Sequence, residues 1–312
     1  MTVLINEMTS ERIEIPDDHP LVQHYPVQME SKLVVSVEDV IRQGKYEGFA
    51  QVSEEVYRSA PYINNSFLND MRRSPAHAIS SRDNPRPKTE ALEFGSLVHI
   101  AILERDLFEK RFVISPKFDR RTKEGKAAAM LFQAENVGKT PLEKEEYDQV
   151  KGMVDAVDRH PIASKLLSGG EKELSLFVFD MESGLPRKVK IDHVNRETHV
   201  LSNYKTTMDA SYRAFQRDVW KYGYHRQSAG ELEIYNLLAA ANTNMAPHIV
   251  QEKARPYAVA VFLLDDATIE KGTHENRALL ARVRECQEQN RWPAYPNEIQ
   301  TAALPSFAWD EE

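Results

Sequence analysis

The sequence is short of cysteine: Cys286 is the single one among 312 residues. One thiol can neither close an internal disulfide nor build a cysteine-rich zinc site. Also missing is any unbroken apolar run of about 18 residues, the length a membrane helix needs. The opening stretch MTVLINEMTSERIEIPDD has no basic segment leading into an apolar one, so no secretory signal is expected. These absences predict a cytoplasmic protein with no membrane association. Positive charge is in deficit as well: 40 Lys and Arg against 48 Asp and Glu give a net charge of −8. That excludes a surface coated in positive charge for loose nucleic-acid binding. It leaves open a channel lined with basic residues inside an acidic exterior. Internal repeats and low-complexity tracts are absent. What is present is an ordinary apolar content, 41%, enough for a sizeable core in one large or two ordinary domains.

Residues 1–55 carry scattered charge and weak periodicity, and are expected to form an N-terminal arm or peripheral segment. SKLVVSVEDVIRQGKYEGF within it has room for a short strand and a helix. From Tyr57 the pattern becomes denser, and residues 56–312 are expected to form the main domain. FLNDMRRS reads as a helix capped at Asn65 or Ser66. LEFGSLVHIAILERDLFEKRF reads as one helix whose small Gly95 and Ser96 admit a close neighbour, with His99 one turn along from Gly95. FDRRTKEGKAAAML is a basic loop running into a helix, and residues 141–167 are mostly helical. Then the period drops to two. ELSLFVFD, RKVKIDHV and HVLSNYKTT read as three strands joined by the turns ESGLP and NRET. A long helix follows, breaking near Gly223. PYAVAVFLLD is almost wholly apolar and is expected at the centre of the sheet. HENRALLARVRECQEQN is a late amphipathic helix, and the tail is proline-rich and irregular. The sum is an α/β protein: a central mixed sheet flanked by helices.

The chemistry is expected at one end of the three-strand meander. Asn203 and Lys205 are two apart and share a strand face. The turn at NRET brings Asp192 near them, and His99 and Glu173 are candidates to join. Carboxylates hold a hard divalent cation, which can activate water and polarise a phosphate. A lysine beside them can orient that water or neutralise developing charge. Taken alone, an Asp…Asn-x-Lys hairpin is more often a solvated polar strand face, and a histidine on an apolar helix face a satisfied core residue.

Several separate motifs raise the functional reading. EEVYRSAPYINNSFLNDMRRSPAHA, FGSLVHIAILERDLFEKRFVISPKFDRRTKEGK, ELSLFVFDMESGLPRKVKIDHV, LSNYKTTMDASYRAFQRDVWKYGYHRQSA, PYAVAVFLL and RWPAYPNEIQTAALPSFAW follow one another over residues 55–309. In that order they resemble the exonuclease VIII (RecE-type) family of phage and prophage recombination exonucleases. The resemblance implies a PD-(D/E)xK restriction-endonuclease-like core and Mg²⁺-dependent degradation of double-stranded DNA, with Mn²⁺ as a substitute. It implies 5′-to-3′ polarity from duplex ends, a 3′ single-stranded product, a ring-shaped homo-tetramer, and a single-strand annealing recombinase as partner in a bacterial or phage-infected cell. By resemblance Asp192 is a metal ligand, Lys205 the catalytic lysine, His99 a metal or near-metal ligand, Glu173 an acidic residue lining the site, and Gln227 the glutamine near metal, water or DNA.

Two positions depart from the family pattern. Asn203 stands where an Asp is usual, and Glu231 where a tyrosine usually follows the glutamine by four. An amide oxygen can touch a metal but brings no charge, so Asn203 weakens the expected metal and catalytic role of that position. It fits either a divergent, weakened member or an Asp replaced deliberately. The rival reading is therefore a catalytically weak or inactive DNA-binding or assembly module on a nuclease scaffold; a RecB-type repair nuclease within a larger complex is a third. Arg120, Arg121, Lys123 and Lys126 on the basic loop are candidates for phosphate contacts. Tyr222, Tyr224 and His225 are candidates for base stacking or for packing.

Overall fold

The computed structural model describes residues 2–5, 12–15 and 35–304, apart from 86 and 88. Much of the segment read as an arm, and the last eight residues of the tail, lie outside the described residues. Strands β1 (Thr2–Ile5), β2 (Arg12–Ile15) and β3 (Val35–Ser36) form a small sheet in the order β2-β1-β3. Helix α1 (Val37–Arg42), strand β4 (Gly48–Ala50) and helix α2 (Glu54–Ser59) follow. Helices α3 (Asn65–Arg73) and α4 (Pro75–Asp83) lead into α5 (Glu90–Leu103). Then come α6 (Arg105–Arg111), β5 (Phe112–Ile114), α7 (Lys123–Glu135), β6 (Thr140–Leu142), α8 (Lys144–Arg159) and α9 (Pro161–Leu166).

The main sheet is built from β4 with β7 (Glu171–Asp180), β8 (Leu185–Asn195), β9 (Val200–Thr207), β10 (His248–Glu252) and β11 (Val259–Phe262). Its order is β11-β10-β9-β8-β7-β4. The β9–β10 pair is parallel and the other neighbours are antiparallel, so the sheet is mixed. Helices α10 (Tyr212–Tyr222) and α11 (Tyr224–Ala239) form the crossover between the two parallel strands, and α12 (Asp266–Glu288) packs beside α11. Gly223 separates α10 from α11 in the left-handed region, φ +75°, a conformation that glycine adopts without steric cost. One apolar cluster joins Leu97, Val98 and Ile102 of α5 and Val150 and Met153 of α8 to Tyr204 and Ile249. A second joins Leu174, Leu176, Val189, Ile191 and Leu201 to Leu232, Ile234 and Tyr235 of α11. The helices thus lock both sides of the strands that carry the polar residues of interest. No helix among the described residues is long and apolar enough to cross a membrane.

The α/β mixed-sheet expectation holds, and three local expectations are corrected. The apolar stretch PYAVAVFLLD is not central: β11 is the outermost strand, next to β10. Its hydrophobicity reflects cover on both faces, since Val259 and Val261 pack in the α5–α8 cluster and Ala260 and Phe262 against Phe215 and Val219 of α10. The strand that does pair with β9 is β10, HIVQE, where a histidine and a glutamine masked the strand signal. Its Gln251 is buried because its amide is satisfied, accepting from the Tyr204 hydroxyl at 2.5 Å and donating to the Met153 carbonyl at 2.9 Å. Finally, the helix read through 92–112 is two helices divided at Glu104, and the α3 cap is Asn64, which accepts from the Phe67 N–H at 2.8 Å.

Candidate active site

Strands β8 and β9 pair only at their hairpin end, over His193–Asn195 and Val200–Ser202. Beyond that point they part. The Asp192 side chain fills the fork: its Oδ2 accepts the Tyr204 backbone N–H at 2.8 Å, taking the place of a ladder bond. A charge-assisted bond of this kind is worth roughly 1.5–3 kcal/mol and fixes the carboxylate at the mouth of the opening. Strand β9 keeps its other edge paired to β10, with Asn203 opposite His248 and Lys205 opposite Val250. It can therefore diverge from β8 without leaving the sheet.

Glu173 arrives from the other neighbour. The β7–β8 register pairs Lys172 with His193 and Leu174 with Ile191, so Glu173 lies across from Asp192. Its φ is +52°, a left-handed conformation that costs a non-glycine residue on the order of 1–2 kcal/mol. Such strain persists where surrounding structure dictates it, and here it coincides with the site.

Helix α5 brings His99 over this pair. Gly95, one turn earlier, lets the helix settle on β9: a Cβ there would sit 3.4 Å from Thr206 Oγ1. His99 Nδ1 lies 3.4 Å from Glu173 Oε1, and His99 Nε2 lies 3.3 Å from Asp192 Oδ2. One ligand atom each from His99, Glu173 and Asp192 fall within 4.8 Å of one another, about the space a divalent cation with ~2.1 Å bonds would span. Glu173 Oε1 is buried and, among the described residues, has no hydrogen-bond donor, a need a cation would satisfy. Lys205 Nζ stands 3.8 Å from Asp192 Oδ2 and 5.6 Å from the Tyr224 ring centre.

The electrostatics suit the arrangement. Burial pushes Asp192 up, but Lys205 and His99 overcome it and hold the carboxyl well below its ordinary value. Burial pushes Glu173 up to about 7, only partly opposed by His99. For His99, burial favours the neutral ring, yet Asp192 and then Glu173 outweigh it and raise the imidazole above its ordinary value.

A second polar network adjoins the first. Asn203 Nδ2 donates to Glu231 Oε2 at 2.7 Å, and Gln227 Nε2 donates to Asn203 Oδ1 at 2.9 Å and to Glu231 Oε1 at 2.7 Å. Asn203 and Glu231 are completely buried. Burial lifts the Glu231 carboxyl to about 7, against the pull of Lys205.

The structure thus brings His99, Glu173, Asp192 and Lys205 into one group, with Asn203 and Gln227 in the adjoining network. Tyr224 is half-buried between Phe215 and His248. His225 is buried, stacked on Trp220 and 3.1 Å from Glu275, so it packs and does not offer a free ring for a base. Arg120, Arg121 and Lys123 are exposed around the start of α7.

Sequence reasoning overlooked Lys190. Its Nζ bridges Glu54 Oε2 at 2.6 Å and Glu173 Oε2 at 3.8 Å, and lies 4.7 Å from the Tyr57 ring centre. The signal was available: Lys188, Lys190 and Asp192 alternate on β8 and so share a face. Lys188 is buried and donates to the carbonyls of Tyr57 and Ala60, at 2.5 and 2.7 Å, which ties α2 to this strand and sets Glu54 beside Lys190.

The family model for a PDDEXK-like domain of unknown function, DUF3799, matches residues 65–305. A crystal structure of a protein from Eubacterium rectale, provisionally assigned as an exonuclease, superposes with a TM-score of 0.55 at 15% identity, covering 84% of this chain and 98% of that one. No curated protein matches.

Proposed function

The chain belongs to the PDDEXK-like domain family DUF3799, and from that membership we propose that it is a divalent-metal-dependent exodeoxyribonuclease acting on double-stranded DNA. One observation carries the reading: His99, Glu173 and Asp192 converge on a single cation-sized space beside Lys205. PDDEXK nucleases generally depend on a divalent metal, and the donor set here, two carboxylates and an imidazole, suits Mg²⁺ and still more Mn²⁺. A bound cation would polarise the scissile phosphate and make a water nucleophilic.

The chain's own groups have separate tasks. Asp192, pinned by the Tyr204 amide, offers a fixed negative charge. Glu173 and His99 complete the ligand set, and His99 serves only once its proton has left. Lys205 is placed to orient the attacking water or to neutralise charge gathering on the phosphate. Gln227 and Asn203 hold the far wall. Arg120, Arg121 and Lys123 would bind the phosphate backbone by charge, and Tyr224 would brace Lys205 and meet the DNA. The provisional exonuclease assignment of the structural relative points the same way. From the RecE-type resemblance we carry forward 5′-to-3′ polarity, a tetrameric ring and a single-strand annealing partner, all acting in the cytoplasm.

A rival reading has an observation of its own. Asn203 puts no charge where the family expects one, and its amide is committed to α11 on both sides. The rival protein would bind DNA and cut poorly. End-labelled linear duplex and a covalently closed circle, each incubated with Mg²⁺ or Mn²⁺, separate the two. Loss of the linear DNA from its 5′ ends with the circle intact supports the exonuclease. Retention of both, with tight binding of the linear form, supports the module.

A further inference from the structure

We infer that Glu231 is this site's remaining acidic residue: it works with Asn203 as one carboxylate–amide unit, and the acidic group sits on helix α11 instead of strand β9. The inference deepens the nuclease reading and rests on its metal site.

Glu231 is buried and, among the described residues, enters no ion pair. Its two oxygens each take an amide N–H, from Asn203 at 2.7 Å and Gln227 at 2.7 Å. Two neutral amides are thin support for a buried carboxylate. An amide at position 231 would fill the same space but has one acceptor oxygen, so its NH₂ would face one of the two donors. The carboxylate pairs with both, and its charge, costly to bury on two neutral amides alone, would be offset by a cation held nearby. The charges that act on it are those of the candidate metal group, Lys205 and Asp192.

The contact with Asn203 also fixes which way that amide points. Its Nδ2 is committed to Glu231, so Oδ1 is the one Asn203 atom left to meet a cation or its water. Gln227 occupies one lone pair of that oxygen, and a carbonyl has two. Glu231 is thus a positioning residue toward Asn203 and a source of negative charge toward the cation.

The arrangement predicts an exchange rule. Two carboxylates at hydrogen-bond distance cannot both ionise cheaply, so positions 203 and 231 should hold one acid between them, on either element. Moving the acid back to the strand should preserve the site.

Isothermal titration of the full-length chain with Mn²⁺ alone, at pH 8, tests this on wild type, Glu231→Gln, and the exchange variant Asn203→Asp/Glu231→Gln. Metal-free melting curves serve as the folding control. Groups that support metal ligands are typically worth ~10- to 100-fold in affinity. Glu231→Gln is expected to weaken Mn²⁺ binding more than about fivefold, and the exchange variant to return within about fivefold of wild type. A smaller loss in Glu231→Gln overturns the inference. So does a folded exchange variant that stays weaker than that limit, since Glu231 would then be structural. If Glu231→Gln does not fold, the exchange variant decides by the same limit, and an exchange variant that also fails to fold overturns the exchange rule. A wild type that takes up no Mn²⁺ overturns it too. Cleavage is not the readout: a protein that follows these affinities yet leaves DNA intact contradicts the nuclease reading and leaves Glu231's role standing.

Discussion

Glu173 shows how single residues are placed here at the expense of stability. Its backbone is left-handed and its carboxyl, lifted to about 7 by burial, holds a proton in the folded chain that the unfolded chain releases near 4.5. Between those values the native state binds more protons, so its stability falls as pH rises. Glu173→Gln removes the charge and keeps the shape. Without metal, the variant should be more stable than wild type by about 1–3 kcal/mol at pH 8, with the gap nearly gone at pH 4. Urea unfolding at the two pH values checks this; an equal or less stable variant at pH 8 would sink the claim that burial works against this carboxylate. The strand period put Asn203 and Lys205 on one face near Asp192, but it was the family resemblance that singled these residues and His99 out, and the structure brings His99, Asp192 and Lys205 together. The strain at Glu173 was not legible in the sequence, since a glutamate in a strand pattern carries no mark of a positive φ. Nor was the Asn203–Glu231 contact, which joins residues 28 apart through the packing of α11 on the sheet.

At the scale of elements, the site depends on how closely α5 lies on β9. Gly95 sets that distance, with room for about one methyl against Thr206. Gly95→Ala should be nearly neutral, because the helix-propensity gain of ~1 kcal/mol offsets a tight contact. Gly95→Leu should cost about 1–3 kcal/mol and loosen Mn²⁺ binding, because the helix that carries His99 must lift. Melting temperature and Mn²⁺ titration of both variants test this; unchanged metal affinity in a folded Gly95→Leu would show that α5 position does not control the site. The meander β7–β8–β9 and the break at Gly223 were legible because period-two alternation and a left-handed glycine are local signals. Strand order was not. The apolar stretch at 256–265 was expected in the centre because burial and centrality usually coincide, whereas β11 is an edge covered by helices on both faces. Strand β10 escaped notice because its buried polar residues are paid for by partners distant in sequence, such as Tyr204 for Gln251.

For the whole molecule, the net charge of −8 is compatible with a DNA substrate only if positive charge is concentrated where the duplex lies. The bound cation would add to it. Cation and protons compete for the same groups: Glu173 and His99 are both shifted upward, and each must lose its proton to ligate. Mn²⁺ should therefore raise the melting temperature little at pH 6 and more at pH 8, by an amount equivalent to ~2.7 kcal/mol at a hundredfold excess over Kd. A shift that shrinks as pH rises would contradict the ligand set.

Metal-dependent phosphodiester cleavage by His99, Glu173, Asp192 and Lys205 is proposed, and one assay decides on it: linear duplex DNA followed with Mg²⁺ or Mn²⁺, with and without EDTA, using wild type and Lys205→Ala. Wild type is expected to degrade the DNA, EDTA to stop it, and Lys205→Ala to slow it at least ~100-fold while Mn²⁺ still binds. Degradation that survives EDTA, or that proceeds at the wild-type rate without the Lys205 amine, would contradict the proposal.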